Sequence, residues 1–129
     1  MQPKKIVIVD DEPDVIESIA FALEAEGYKV FRAVDGYQGF GAVCMEEPDL
    51  VILDVMLPGK NGYEVARMLR EDTRKGAFRD CRILILTARK VDSAERLEFL
   101  QTWSSADLHL YKPFELEALI EAVRTLIGD

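Results

Sequence analysis

The sequence predicts a doubly wound α/β domain, a parallel sheet with helices on both faces. Two observations carry this. Short apolar runs alternate with longer amphipathic ones in the order βαβαβαβαβα, the pattern of successive crossover units. Three of the runs, IVIV at 6–9, LVIL at 50–53 and ILIL at 83–86, contain no polar residue. Strands buried on both faces read this way, whereas a half-solvated strand alternates.

Five strands are predicted, at 5–10, 29–33, 50–53, 82–86 and 108–111. A helix over 13–26 places Val15, Ile16, Ile19, Ala20 and Leu23 on one stripe, with Pro13 in its first turn and Gly27 beyond its end. The last helix, 115–127, repeats the pattern with Leu116, Leu119, Ile120, Val123, Leu126 and Ile127. Two weaker helical segments lie at 36–46, which holds two interior glycines, and at 92–104. With 129 residues, one domain over 1–129 is expected, large enough for a core without disulfides or metal staples.

Composition narrows the function classes. Sixteen basic and 24 acidic residues give a formal charge of −8, a balance that argues against direct nucleic-acid binding by this domain. The first apolar run is too short for a signal-peptide core or a membrane span, so a cytoplasmic domain with no membrane role is expected. Cys44 and Cys81 have no second Cys or His nearby, which leaves too few ligands for zinc. Cys44, in an apolar segment, is expected in the core. No GxGxxG follows the first strand and no GKS or GKT occurs, so nucleotide-binding readings lack support.

Sites in such sheets form beyond the carboxyl ends of the strands. Reading only those ends gives Asp10 and Asp11 after the first strand, Asp54 after the third, Thr87 after the fourth and Lys112-Pro113 after the fifth. The fold should gather these residues into one crevice. Carboxylates about 5 Å apart repel by roughly 3 kcal/mol at an effective dielectric near 20. Such a trio invites a hard divalent cation, with few protein ligands favouring Mg²⁺. Lys112 adds a point charge for a phosphoryl oxygen and Thr87 a hydroxyl donor. Within that cradle Asp54 can act as nucleophile and form an aspartyl phosphate.

Four stretches carry a resemblance that spans the chain: IVIVDDE at 6–12, PDLVILDVMLPGKNGYE at 48–64, LILTAR at 84–89 and YKPF at 111–114. In order and spacing they resemble the receiver domain of two-component response regulators. The resemblance implies a flavodoxin-like fold with five strands in the order 2-1-3-4-5 and five flanking helices. It implies that Asp54 accepts a phosphoryl group from a sensor histidine kinase or phosphotransfer protein, so that the domain catalyses only its own phosphorylation and dephosphorylation. Mg²⁺ would be held by Asp11, Asp54 and the backbone carbonyl of Met56, with Asp10 acting largely through coordinated water. Thr87 and Lys112 would bind the phosphoryl oxygens, and Pro113 would follow a cis peptide bond. The switched conformation would control an output domain or a downstream protein. A homodimer through the fourth helix, fifth strand and fifth helix is a further expectation.

The chain also departs from the family. His109 stands where receivers usually carry Tyr or Phe, a ring that moves inward as the phosphoryl group draws in the threonine. It is either a tolerated surface residue or a differently built switch. Residues 88–111 form a longer segment than usual, and Ser105 replaces the customary Gly. Phe99 and Trp103 share one helical face there, as ordinary packing or as an aromatic interface patch. Met56 and Arg89 occupy positions that tune phosphoryl lifetime, and neither can orient a hydrolytic water as a carboxylate or amide could. Two rivals remain. A haloacid-dehalogenase-type phosphatase would need a second Asp where Met56 stands. A receiver-like interaction module that is not phosphorylated would keep the fold alone.

Overall fold

Continuously apolar strands need cover on both sides, and the computed structural model supplies it. The structure describes residues 2–57, 61–74, 76, 80–87 and 102–128. The strands β1 (Lys5–Val9), β2 (Lys29–Ala33), β3 (Leu50–Asp54), β4 (Arg82–Thr87) and β5 (Leu108–Tyr111) form one sheet in the order β2-β1-β3-β4-β5. Every pairing is parallel. Side chains alternate across it. Ile6 and Ile8 of β1, with Ile52 and Leu84, pack in the layer with Ile16, Ile19 and Leu23 of α1 (Pro13–Ala25). That layer also holds Leu119, Val123 and Ile127 of the C-terminal helix α4 (Leu116–Ile127). Val7 and Val9, with Val51, Leu53, Ile83 and Ile85, face the opposite layer. It contains Val43 of α2 (Gly36–Glu46) and Tyr63, Val65, Ala66 and Leu69 of α3 (Gly62–Arg74).

The glycines of α2 explain its weak signature. A Cβ on Gly39 would sit 2.6 Å from a methyl of Val9, so this glycine lets the helix lie close on β1. Asp35 caps the helix by accepting a hydrogen bond from the Gln38 N–H at 2.8 Å. Cys44 corrects its expectation. It is exposed, because the inward stripe is Gly36, Gly39 and Val43, one position short of it. Cys81 is buried, and neither cysteine forms a disulfide.

The element order demanded a helix between β3 and β4, although periodicity alone gave it no bounds. Its start is a capping box. The Asn61 side chain accepts from the Glu64 N–H at 3.0 Å, and Glu64 accepts from the Asn61 N–H at 3.3 Å. The weaker helical segment at 92–104 lies outside the described residues except for Thr102, Trp103 and Ser104. Ser105 adopts φ 58°, the left-handed region that favours glycine. Its carbonyl accepts from Arg70 Nε of α3 at 3.0 Å, and Arg70 also pairs with Asp107 at 2.6 Å. No helix among the described residues is long and apolar enough to cross a membrane.

Candidate functional site

Hydrogen bonds that continue past the strands hold their carboxyl ends in register. The Val55 N–H donates to the Leu86 carbonyl at 2.9 Å, and the Lys112 N–H to the Thr87 carbonyl at 2.8 Å. Asp54, Thr87 and Lys112 thus stand side by side at one edge of the sheet. The Asp10 N–H donates to the Ala33 carbonyl at 3.1 Å, which fixes Asp10 at the end of β1. Asp10, Asp54 and Thr87 are buried, among only four polar residues so placed in the described chain.

One ammonium joins two of these carboxylates. Lys112 Nζ lies 3.5 Å from Asp10 Oδ2 and 3.6 Å from Asp54 Oδ2. Asp10 also accepts from the Glu12 N–H at 3.0 Å, and Asp54 from the Met56 N–H at 3.3 Å. Burial, then the Asp10 charge, push the Asp54 carboxyl above the usual carboxylate range, with a smaller push from Asp11. Lys112 and the Met56 N–H oppose that rise. The Lys112–Pro113 peptide is cis.

Ligand atoms of Asp10, Asp11 and Glu12 lie within 4.8 Å of one another, with Asp10 buried and the other two exposed. Oxygen donors at this spacing fit a hard divalent cation. Glu12 was not among the residues singled out from sequence, although it directly follows the Asp pair. Asp54 is not in that tight trio, and it joins the cluster through Lys112 and through the charges of Asp10 and Asp11. Met56 is exposed beside the site.

His109 is half-buried. Leu108 and Leu110 pack into the α1–α4 layer, so His109 projects to the other side. There its Nε2 makes a 3.1 Å hydrogen bond with the Tyr63 hydroxyl, the rings 5.5 Å apart at centroid. Burial lowers the His109 pKa and, together with the Tyr111 charge, raises that of Tyr63. Sequence reasoning missed Tyr63, since an aromatic in the first turn of an amphipathic helix signals only packing. Trp103 is partly buried against the α2–α3 layer, with the Arg67 guanidinium 4.9 Å from its ring centroid. Arg67 also donates to the Trp103 carbonyl at 2.8 Å. Phe99 and Arg89 lie outside the described residues.

A parallel sheet in this order, with an acidic pocket and a lysine at its carboxyl edge, defines an α/β domain of the flavodoxin-like class. The family model for the response regulator receiver domain matches residues 6–124, and the chain belongs to that family. It is 37% identical over 125 residues to a DNA-binding dual master transcriptional regulator, RpaA, of Synechocystis. That match covers 95% of this chain and 48% of the relative, so the chain spans about half the relative's length. Among solved structures it resembles the chemotaxis protein CheY4 of Vibrio cholerae, with TM-score 0.84 and 26% identity over 96% of this chain and 98% of that one. It likewise resembles the BeF3-activated N-terminal receiver domain of Klebsiella pneumoniae RstA, with TM-score 0.83 and 29% identity over 98% and 100%.

Proposed function

We propose that this receiver domain takes a phosphoryl group onto Asp54 from the phosphohistidine of a sensor kinase or phosphotransfer protein. The supporting observation is the buried Asp54 carboxylate, sharing one ammonium with buried Asp10. An Asp54 carboxylate oxygen forms the new P–O bond as the P–N bond breaks. The imidazole leaves with that electron pair and takes up a proton. Lys112 and the Thr87 hydroxyl hold the transferring oxygens, and the Met56 N–H orients Asp54. Mg²⁺ would be held by Asp10, Asp11, Asp54 and the Met56 carbonyl and would supply neutralising charge there, with exposed Glu12 beside Asp10 and Asp11. The domain catalyses no reaction other than its own phosphorylation and dephosphorylation.

The domain would occupy residues 1–129 and act from the cytoplasm on an output domain or partner. The longer relative suggests a DNA-binding output, while the −8 charge of this chain argues that such contacts lie outside this domain. A homodimer through β5 and its flanking helices is one route for that control.

Acetyl phosphate with Mg²⁺, followed by intact-mass measurement, tests the proposal. One phosphoryl adduct is expected, lost in Asp54→Asn and on metal chelation. No adduct on the wild type would favour a receiver-like module that acts by binding alone.

A further inference from the structure

The hydrogen bond between Tyr63 and His109 joins two elements that each touch the acceptor strand or its neighbours. On one side stands Gly62, the first residue of α3. A Cβ there would lie 2.5 Å from the Asp54 carbonyl oxygen and 3.1 Å from the Val55 Cα. The Gly62 N–H donates to the Val55 carbonyl at 3.1 Å. The start of α3 therefore rests directly on the backbone of the acceptor, and the Asn61–Glu64 capping box holds that start in place.

On the other side stands β5. His109 pairs with Ile85 and Tyr111 with Thr87 in the β4–β5 register. The next residue, Lys112, is tied to the Thr87 carbonyl by its backbone and to Asp54 by its ammonium. Tyr63 follows Gly62 immediately, is buried, and reaches His109 across the face of the sheet. Packing would be met by phenylalanine at 63; the hydroxyl adds one directional link from α3 to β5.

We propose that Tyr63 is a positioning residue for the phosphoryl-dependent switch, acting through His109. A closed circuit runs from the Asp54 backbone through Gly62 and Tyr63 to His109, then along β5 to Lys112 and back to Asp54. A phosphoryl group on Asp54 engages Lys112, which directly follows β5, and Thr87, which ends β4, while Gly62 keeps α3 seated on the Asp54 backbone. Displacement of β5 relative to α3 then changes the Tyr63–His109 bond. The bond couples the acceptor to the outer strand, where sheet packing alone would transmit less. It differs from a ring rotating freely between pockets, because His109 is held by a named partner on a third element. The inference rests on Asp54 phosphorylation as proposed above.

His109 is the chain's single histidine, so its imidazole resonances are assigned without ambiguity. The test follows them by NMR in the wild type and in Tyr63→Phe, before and after acetyl phosphate with Mg²⁺, with intact mass read on the same samples. In the wild type, phosphorylation is expected to shift the Nε2 resonance. In Tyr63→Phe the shift should fall to less than half at equal phosphoryl incorporation. The rate of incorporation should differ from wild type by about fivefold, as one neutral hydrogen bond in a two-state equilibrium implies. His109→Gln, which keeps a hydrogen-bonding side chain at 109, should recover part of the coupling, read at the Tyr63 ring. His109→Phe should not.

An unchanged shift in Tyr63→Phe overturns the inference, as does a wild-type imidazole that stays still while the adduct forms. Absence of any adduct overturns the phosphorylation reading instead, so the two failures are distinguishable. Should Tyr63→Phe unfold, the wild-type shift and the His109→Gln and His109→Phe pair still decide.

Discussion

Lys112→Met removes the one cation that, among the described residues, lies within 4 Å of Asp10 or Asp54. Each contact, at 3.5 and 3.6 Å, has a gross attraction of about 4.6 kcal/mol at an effective dielectric near 20. Both oxygens lie within 3.6 Å of the same Nζ, so they stand no more than about 7 Å apart and repel by at least ~2 kcal/mol on the same scale. Breaking a buried ion pair typically costs about 3–5 kcal/mol. The lysine side chain is 21% exposed, so water takes part of the load and a loss of about 3 kcal/mol is expected.

The pH dependence separates charge from packing. The Asp54 carboxyl is already raised in the folded protein. An acid raised in this way costs stability above its folded pKa. The cost is relieved as pH falls through that value toward the unfolded one. Without Lys112 the carboxyl rises further, so the variant's deficit should be full at about pH 8 and shrink toward about pH 5. Urea unfolding at the two pH values, without divalent cation, reads both quantities. Equal stability at the higher pH would refute the reasoning. So would a deficit that does not change with pH, which would assign the loss to the lysine's methylenes.

Other consequences follow from named contacts. Gly62→Ala drives a Cβ into the Asp54 backbone, which cannot swing away as a side-chain tip would; a loss of about 2 kcal/mol and slower phosphorylation are expected by urea melt and intact mass. Ser105→Gly relieves a left-handed serine while leaving its carbonyl free to accept from Arg70; thermal unfolding should show a gain of about 0.5–1 kcal/mol. Trp103→Ala loses the Arg67 contact and partly buried ring area, and should cost about 2 kcal/mol in the same assay. With Met56 exposed beside the acceptor and no carboxylate or amide in its place, the phosphoryl group should persist for minutes or longer; loss of the mass adduct within seconds at neutral pH would contradict this.

The strand ends were legible because the signal is local. An apolar run that stops at a polar side chain marks both a buried strand and its exit, and Asp10, Asp54, Thr87 and Lys112 all stand at such stops. The bounds of α3 were not visible in its periodicity, and the Asn61–Glu64 cap that starts it emerged only from the structure. Cys44 was misplaced because an apolar stretch does not state its helical phase, and the close seat of Gly39 on Val9 decided that phase. Glu12 was passed over because an exposed acid after a strand looks like any loop residue.

By itself the sequence determined the class of fold and the residues at the carboxyl edge, since these follow from hydrophobic pattern and local spacing, while the family entered through the resemblance of four motif stretches. Only the tertiary structure decided that Lys112 serves two buried carboxylates at once, that Ser105 takes a glycine's conformation, and that His109 faces inward onto Tyr63. Each of these depends on which side chains meet across elements far apart in the chain. Such meetings are set by packing distance and register, and no local pattern records them.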